Sequence, residues 1–402
     1  MPSTRNGGRG EDRKGIAPEE AGNGVSQLSL MELPTAVLHE IFFKLPVNSI
    51  MKAKFVCTGL YKMLSDPEFA VNYTKNSPFT TILLCPEPFT RFGQIPVYRL
   101  MEISENYECF RTPSKLQIPG GVDAQSRLSL QATCDGLICF ILRNPTADIT
   151  HICNPFTGDS LVLPQHKTKH GERFSLVYGL GFCQSANKYK VLGVTYNRAQ
   201  PAGSGQGEIL TIGIDDRWRS LAILEVPVPS SLFNMTSVNG VLHWFLLAGH
   251  RNTCLYNFDL GEERLGQTPN PPGVVLDLRT MRLISLSSQL CLVDTAESNM
   301  IVLWKMKEHK SGQSWTKDII LCKSFPADVR FNGLMPLTVT RNGDIIFSYS
   351  WHDFVVSYNP EEKTCNKIEV FESERIAYTP SLLSVKELIR GRHWSNMNVL
   401  SN

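Results

Sequence analysis

The stretch CDGLICFILRNPTADITHICNPFTGDSLVLP (134–164) indicates how most of this chain is built. Asp135-Gly136 is a hairpin-type dipeptide because both residues tolerate a positive φ, and a run of β-branched and aromatic side chains follows it. Asn154-Pro155 marks a second turn, and SLVLP (160–164) is typical of a further strand. The stretch therefore predicts short strands joined by tight turns.

Similar signals extend outward in both directions across residues 78–390. The other β-branched or aromatic runs are TILLC (81–85), YKVLGVTY (189–196), EILTIGI (208–214), GVLHWFLL (240–247), TCLYNFDL (253–260), QLCLVD (289–294), MIVLWKM (300–306), DIIFSYS (344–350) and FVVSYNP (354–360). No amphipathic stretch of helical length interrupts the series, which disfavours a βαβ architecture.

The turn signals also repeat. Asp135-Gly136, Asn239-Gly240 and Asn342-Gly343 each precede a strand, and a strand with Asn-Pro or Phe-Asp follows in each case. Spacings of about 100 residues predict two units per visible repeat, with units of about 45–50 residues. A mainly β fold is therefore predicted, a β-propeller of about six to seven blades that folds independently. An open sandwich or two small β domains is the alternative.

The N-terminal residues differ in composition. Residues 1–28 almost lack large apolar side chains, so they cannot offset the entropy cost of ordering and are predicted to form a disordered tail. Arg5, Arg9, Arg13 and Lys14 leave a nuclear-import signal open, although acidic residues interrupt them and a solvated tail is the preferred interpretation.

Residues 29–72 have a helical pattern. The apolar side chains of LHEIFFKL (38–45) and CTGLYKML (57–64) recur at the spacing of one helix face, and Pro34 and Pro46 suit helix starts. Three short helices within about 40 residues bury too little surface for a core of their own. This segment is therefore predicted to need a partner.

Composition and charge restrict the classes of function. Hydrophobic residues make up 42% and charged residues 19%, which is the balance of a globular protein. The net charge of +2 is too small to predict long-range attraction to nucleic acid or to an anionic membrane. The sequence contains no run of about 18 apolar residues, so no membrane span is predicted. The N-terminus lacks the apolar core of a secretory signal. The 11 cysteines lack CxxC pairs, which predicts reduced thiols in the cytoplasm and/or the nucleus.

Both regions resemble known plant families. The segment ELPTAVLHEIFFKLPVNSIMKAKFVCTGLYKMLSDPEF (32–69) resembles an F-box, with Leu33-Pro34, Leu45-Pro46-Val47 and Val56-Cys57 at the motif positions. The β region resembles the F-box-associated domain, which is related to kelch-like propellers. Its matching pieces are CDGLIC (134–139), CNPFTGDSLVLP (153–164), YGLGFCQSANKYKVLGV (178–194), RWRSLA (217–222), VNGVLHWF (238–245), FDLGEE (258–263), LCLVD (290–294), WKMKEH (304–309), SWTK (314–317) and YTPSLLSV (378–385).

The resemblance implies the substrate-recognition subunit of an SCF-type (Skp–cullin–F-box) ubiquitin ligase. The F-box is expected to bind a Skp-type adaptor, and through it a cullin scaffold, while the β domain holds a target protein for ubiquitination and proteasomal degradation. No catalytic residue, cofactor or metal is expected, and no contact with nucleic acid or membrane. The residues expected to bind the adaptor are Leu33, Pro34, Leu38, Ile41, Leu45, Pro46, Val47, Ile50, Val56, Cys57 and Leu60.

Two positions depart from the family pattern. Leu60 stands where the family usually has Trp, and Thr58 stands where a basic residue is common. If Leu60 lies at the interface, Leu60→Trp is expected to tighten adaptor binding; if it lies in the core, the larger ring overpacks it. A protein-interaction scaffold with a weakened F-box is thus one alternative function. A propeller enzyme of galactose-oxidase or sugar-hydrolase type is another, although no convergent metal or carboxylate spacing is visible.

Two motifs suggest other chemistry on first inspection. Cys134, Cys139, His151 and Cys153 give C-x4-C-x11-H-x-C, which is looser than zinc knuckles, so buried thiols are the preferred interpretation. AGSGQGE (202–208) has the glycines of a phosphate loop but no following Lys-Ser/Thr, and is interpreted as a flexible loop.

Target contacts are predicted on inter-strand loops, because propeller faces are built from loops. PQHKTKHGER (164–173) is interpreted as a solvated basic loop, and Trp351-His352-Asp353 lies between two strands. Trp218, Trp244, Trp304 and Trp315 are interpreted as packing residues. The candidate target-binding residues are His166, Lys167, Lys169, His170, Arg251, Trp351 and His352, in the loops 165–173, 197–207, 248–253 and 351–353.

Overall fold

The described part of the chain consists of a helical segment followed by a β domain. A computed structural model describes residues 30–85, 99–111, 127–143, 148–166, 174–197, 204–221, 226–227, 235–248, 252–297, 300–307, 315–321, 325, 334–349, 354–370, 374–389 and 399–400. Across these ranges no helix is long and apolar enough to cross a membrane.

The helical segment (residues 30–76) has one more helix than predicted. After a 3₁₀ turn (Leu30–Glu32) come α1 (Thr35–Phe43), α2 (Val47–Ala53), α3 (Thr58–Leu64) and α4 (Pro67–Asn76). Pro34 and Pro46 stand directly before α1 and α2, where the fixed φ of proline suits a helix start. Asp66 caps α4 by accepting the N–H of Glu68 at 2.7 Å, so the Asp-Pro pair begins a fourth helix.

The strands follow in short, regularly spaced pieces. In chain order they are β1 (Thr80–Cys85), β2 (Arg99–Ile103), β3 (Cys109–Arg111), β4 (Arg127–Cys134), β5 (Leu137–Arg143), β6 (Asp148–Cys153), β7 (Ser160–Val162), β8 (Phe174–Cys183), β9 (Lys188–Asn197), β10 (Ser204–Thr211), β11 (Arg219–Ser220), β12 (Val226–Pro227), β13 (Thr236–Val238), β14 (Val241–Ala248), β15 (Asn252–Asp259), β16 (Arg264–Thr268), β17 (Met281–Leu286), β18 (Gln289–Asp294), β19 (Met300–Met306), β20 (Trp315–Leu321), β21 (Leu334–Val339), β22 (Ile345–Tyr349), β23 (Phe354–Asn359), β24 (Thr364–Glu369), β25 (Glu374–Ala377) and β26 (Val399–Leu400).

These strands form six antiparallel sheets, each one blade of a β-propeller. Blades 2 to 6 take their strands in chain order, beginning with β4, β8, β13, β17 and β21 as first strands, and neighbouring first strands contact one another. The predicted propeller is therefore confirmed, with six blades. The sandwich alternative is wrong because the sheets are joined around a ring.

The ring is closed by the two ends of the β domain. Blade 1 has the order β25-β1-β2-β3, so a C-terminal strand is its first strand, with Ile82 opposite Ala377 in the register. The chain then crosses blade 2, where the Tyr378 hydroxyl donates to the Gly136 carbonyl at 2.7 Å. The side-chain amide of Asn154 donates to the Ser381 and Leu383 carbonyls. A short helix, α5 (Val385–Leu388), and β26, which pairs with β7, complete this C-terminal strap.

The propeller has two distinct ends. Hairpins join first to second strands at one end, here named the hairpin face, where Asp135 (φ 45°) and Asn239 (φ 48°) adopt the left-handed conformation expected of these turns. The first strands begin at the opposite end, here named the loop face.

The helical segment and the propeller share one hydrophobic core. Phe42, Ile50, Leu64, Phe69 and Tyr73 pack in the same cluster as propeller side chains; the latter are Leu100, Ile138, Phe140, Cys153, Phe156, Tyr378 and Leu382. The rings of Phe43 and Phe69 stack with centroids 5.4 Å apart. The partner that the short helices need is therefore, in the first place, the propeller of the same chain.

Candidate functional site

Exposed apolar side chains concentrate on the helical segment. Of the 11 large hydrophobic residues exposed in the described ranges, seven lie between residues 30 and 61, which are Leu30, Met31, Val37, Ile41, Phe55, Val56 and Tyr61. Phe55 is 84% exposed and Val56 73% exposed, although both follow directly on a packed helix. A contiguous run of bare apolar side chains of this kind marks an interaction surface.

Several of these residues surround α3. Phe55 and Val56 form the turn that leads into α3, and Tyr61 lies on it. Met31 reaches the same helix, since a Cβ added at Gly59 would meet its Cε at 2.6 Å. Cys57 caps α3 by accepting the N–H of Leu60 at 3.5 Å. The 3₁₀ turn, the α2–α3 turn and α3 therefore share one apolar surface.

The structure separates the predicted adaptor residues into two groups. Pro34, Ile41, Val56 and Cys57 are exposed, and Leu33, Leu45 and Pro46 are half-buried. Leu38, Val47, Ile50 and Leu60 are at most 3% exposed, because they face the shared core. In this structure these four side chains offer no surface to a partner, and their role as adaptor contacts stays a prediction. Leu60 in particular lies in the core, so Leu60→Trp is expected to overpack the core.

The predicted adaptor residues omit several of the exposed apolar residues, among them Val37, Phe55 and Tyr61. Phe55 lies in a turn, where no periodicity exists, and Val37 lies beside the apolar stripe of α1 rather than in it. Tyr61 belongs to the predicted stripe of α3 but points to solvent, whereas its neighbour Leu60 is buried. An apolar side chain outside the apolar stripe of a helix, such as Val37, was the signal that could have identified an exposed apolar surface.

Helix α2 lies against the propeller at both ends. Glu102 on β2 accepts the N–H of Val47 at 2.8 Å. Lys54, at the other end of α2, is buried, and burial lowers its pKa while the charges of Glu387 and Asp159 raise it. The Thr74 hydroxyl donates to the Pro380 carbonyl at 3.2 Å. These contacts hold the exposed apolar surface in a fixed direction from the propeller.

The predicted target-binding loops emerge at the loop face. The strand ends that flank them are those of β7 and β8, β9 and β10, β14 and β15, and β22 and β23, and all eight lie away from the hairpins between first and second strands. Lys167, Lys169, His170, Arg251, Trp351 and His352 lie outside the described residues.

His166 is not the solvated loop residue that was predicted. It is 8% exposed, and its Nδ1 is hydrogen-bonded to the Glu208 carboxylate. Its Nε2 lies 3.0 Å from the Tyr178 hydroxyl, and its ring stacks on Trp218 with centroids 4.1 Å apart. The prediction failed because the partners that bury His166 come from β8 and β10 and the turn after β10. His166 is therefore a packing residue of the β domain in this structure.

The glycine-rich stretch AGSGQGE was also misinterpreted in part. Residues 204–208 belong to β10, which pairs with β9, so the predicted loop 197–207 is shorter. A Cβ added at Gly205 would meet the Thr195 carbonyl oxygen at 2.7 Å. Glycine is needed here for close approach of two strands rather than for a flexible loop.

The Cys/His set lies in the interior of blade 2. Cys139 and Cys153 are buried, and burial raises the pKa of the Cys153 thiol to about 12. His151 stacks parallel to Phe140 at 5.0 Å, and burial lowers its pKa to about 4, so the ring is neutral. Among the described residues no three His, Cys, Asp or Glu side chains are arranged to hold a metal. Trp218 and Trp244 are buried, as predicted.

Two neighbouring cavities lie between the first strands of the propeller. The cavity near the loop face has a volume of about 420 Å³ and the cavity near the hairpins about 530 Å³. Arg282 and Asp135 are the charged side chains among the described residues that line these cavities, respectively. Arg282 donates to the Leu278 and Met281 carbonyls, which holds its guanidinium in place.

Comparison with known protein families matches both parts of this architecture. Residues 30–72 match the F-box domain, and residues 96–387, most of the chain, match the F-box associated beta propeller domain. The chain belongs to the F-box-associated propeller family. Its helical segment is thus an F-box, and the resemblance seen in the sequence is confirmed.

Plant F-box proteins are similar over most of their length. The F-box protein At3g07870 of Arabidopsis thaliana is 26% identical over 359 residues, which cover 83% of this chain and 82% of that protein. The F-box/kelch-repeat protein At3g23880 of the same plant is 23% identical over 358 residues, covering 84% and 94% respectively. An F-box joined to such a propeller has the general role of a substrate adaptor, in which the F-box binds a Skp-type protein and the propeller binds a target.

Proposed function

We propose that this protein is the target-recognition subunit of an SCF-type ubiquitin ligase in the cytoplasm and/or the nucleus. The F-box binds a Skp-type adaptor, which links it to a cullin scaffold, and the propeller presents a protein for ubiquitination and degradation. The chain contributes no catalytic group. It raises the rate of ubiquitin transfer by holding the target near the charged conjugating enzyme, through effective concentration and orientation.

The exposure of Phe55 and Val56 carries the adaptor part of this proposal. Two neighbouring apolar side chains at 84% and 73% exposure are unfavourable in water unless a partner covers them. They adjoin α3, which also exposes Tyr61, and buried aromatic anchors dominate the energy of protein interfaces. The shared core leaves this surface outside, so the propeller does not compete for it.

Adaptor binding is tested by isothermal titration of a recombinant Skp-type adaptor into the full chain. The double variant Phe55→Asp/Val56→Asp is expected to bind at least about tenfold more weakly, because each change places a charge in a desolvated contact. Val275→Asp and Ile319→Asp are matched controls, since these apolar residues are exposed on the propeller, and they should bind normally. Equal affinity of the double variant and the wild type contradicts the proposal.

Target binding is assigned to the loop face. It lies across the propeller from the hairpins, and its loops contain the predicted basic and aromatic residues. Charge reversal at Lys167, Lys169 and Arg251 is expected to reduce capture of target proteins from a plant extract. The same changes should alter the free energy of unfolding by no more than about 0.5 kcal/mol. Undiminished capture places the target elsewhere.

A further inference from the structure

Glu102 occupies an unusual place for a carboxylate. It lies on β2 in blade 1, and its residue surface is completely buried against the start of α2. Its Oε1 accepts the N–H of Val47 at 2.8 Å, and the N–H of Asn48 also donates to this carboxylate. Helix α2 has no side-chain cap of its own because Pro46 precedes it. The propeller therefore supplies the acceptor that the first N–H groups of this helix require.

This carboxylate is costly to bury. Its Oε2 has no hydrogen-bond partner among the described residues. Burial raises the pKa of Glu102 to about 7, with the Val47 and Asn48 N–H groups opposing that rise. Tyr73 on α4 is the titratable side chain that faces it, since the charge of Glu102 adds to the effect of burial in raising the pKa of Tyr73. An apolar side chain would pack here without this cost, so packing alone does not explain a carboxylate.

The opposite end of α2 meets the propeller through charge as well. Lys54 follows the last helical residue and is buried beside the strap, where Asp159 and Glu387 favour its charged form. A negative group at the start of a helix and a positive group at its end both agree with the helix dipole. Helix α2 is therefore fixed along its axis by the propeller.

We propose that Glu102 is a positioning residue, which sets the orientation of the F-box, and thus of the adaptor, relative to the loop face. This inference rests on the proposed function, because orientation matters for transfer to a target held on the propeller. Loss of the acceptor frees the start of α2 from blade 1, while the apolar surface around α3 stays unchanged. Adaptor affinity and F-box orientation thus become separable properties.

The ionisation of Glu102 makes the stability of the folded chain depend on pH. Its pKa in the folded chain, about 7, exceeds the ordinary value of 4.5, so the folded state binds this proton more tightly. The contribution to stability is fully present below pH 4.5 and is lost as the pH rises through 7. Both forms of the carboxyl keep an oxygen that accepts the Val47 N–H. Glu102→Gln also keeps that acceptor but cannot ionise, so it removes the pH dependence and retains the orientation.

The test compares Glu102→Leu, Glu102→Gln and the exposed control Glu108→Gln in the full chain, free and bound to a Skp-type adaptor. Cross-linking with mass spectrometry measures contacts between Lys52 or Lys62 of the F-box and the propeller lysines. Glu102→Leu is expected to lose or redistribute these cross-links while adaptor affinity is unchanged. Glu102→Gln and Glu108→Gln should keep the wild-type pattern. Melting temperature should fall between about pH 5 and pH 8 more for the wild type than for Glu102→Gln.

Two results overturn the proposal. One is an unchanged cross-link pattern in Glu102→Leu, and the other is the same pH dependence in the wild type and Glu102→Gln. If Glu102→Leu does not fold, Glu102→Ala, which also leaves the Val47 N–H without this acceptor, replaces it in the cross-linking experiment. Failure of the wild type to bind the adaptor refutes the ligase function instead, while the cross-links of the free chain still test Glu102.

Discussion

The F-box and the propeller differ in how many of their large apolar side chains are exposed. Between residues 30 and 61 the F-box exposes seven large hydrophobic residues, whereas the much longer described part of the propeller exposes four, Phe110, Ile214, Val275 and Ile319. The F-box has one face in the shared core and another bare, while each blade is covered on both faces by its neighbours. The first region is built to bind a second protein by its helices, and the second to hold loops in place.

Removing the F-box is expected to have the largest effect on the stability of the chain. A fragment of residues 77–402 uncovers Phe140, Phe156 and Tyr378, which the helices bury. Three such side chains at about 1.5–3 kcal/mol each predict a loss of up to about 4.5–9 kcal/mol in the free energy of unfolding. Urea denaturation measures it, with Phe55→Asp/Val56→Asp in the full chain as the control that changes only the bare face. A fragment as stable as the full chain contradicts the shared core.

Phe69→Ala tests the same core by one side chain. Phe69 is completely buried on α4 and stacks on both Phe43 and Tyr73. Its loss is expected to cost about 3–5 kcal/mol, the usual range for a buried phenylalanine. Val275→Ala, at an 80% exposed position, should change stability by about 0.5 kcal/mol or less. Similar melting temperatures for the two variants contradict the shared core.

Leu60→Trp distinguishes core from interface within the F-box. Leu60 is 3% exposed, so the larger ring is expected to overpack the core and destabilise the chain by about 1–3 kcal/mol. Adaptor affinity, measured by titration at a temperature where both forms are folded, should not improve. Tighter binding without loss of stability places residue 60 at the adaptor interface after all.

Tyr73→Phe is the smallest of these changes. The Tyr73 hydroxyl donates to the Leu45 carbonyl at 3.0 Å, joining α4 to the turn between α1 and α2. Its removal is expected to cost about 0.5–1.5 kcal/mol, because one part-buried hydrogen bond is lost and the ring remains. Chemical denaturation monitored by tryptophan fluorescence checks the value, and no change means that water replaces the hydroxyl at Leu45.

The propeller was predictable because its signals are local. Asn-Gly and Asp-Gly turns and β-branched runs report a strand and its hairpin within a few residues, and their repetition gave the blade length. The number of blades needed the structure, since β25 joins β1 across nearly the whole chain. Gly205 shows the limit of composition, because a glycine that admits a neighbouring strand looks the same in sequence as one in a loop.

The site was less predictable than the fold. Helical spacing marks an apolar face but does not say whether that face meets the propeller or an adaptor, and Leu38 and Ile50, which were predicted to bind the adaptor, lie in the shared core. His166 was misplaced for a related reason, since Glu208 and Trp218, which bury it, are more than 40 residues away. No sequence pattern marked Glu102, because its role depends on a hydrogen bond from Val47, which belongs to the F-box.

The closure of blade 1 by β25 has a consequence for how the protein is made. The F-box leaves the ribosome before the propeller, but β25, which completes the ring, is translated only after all the strands of blades 3 to 6, although domains otherwise tend to fold as they emerge. Until β25 has been translated, blade 1 lacks its first strand, and Phe156 lacks the neighbouring ring of Tyr378. A product cut short by a premature stop codon carries an F-box beside an open ring, and it is a substrate for quality control rather than a receptor.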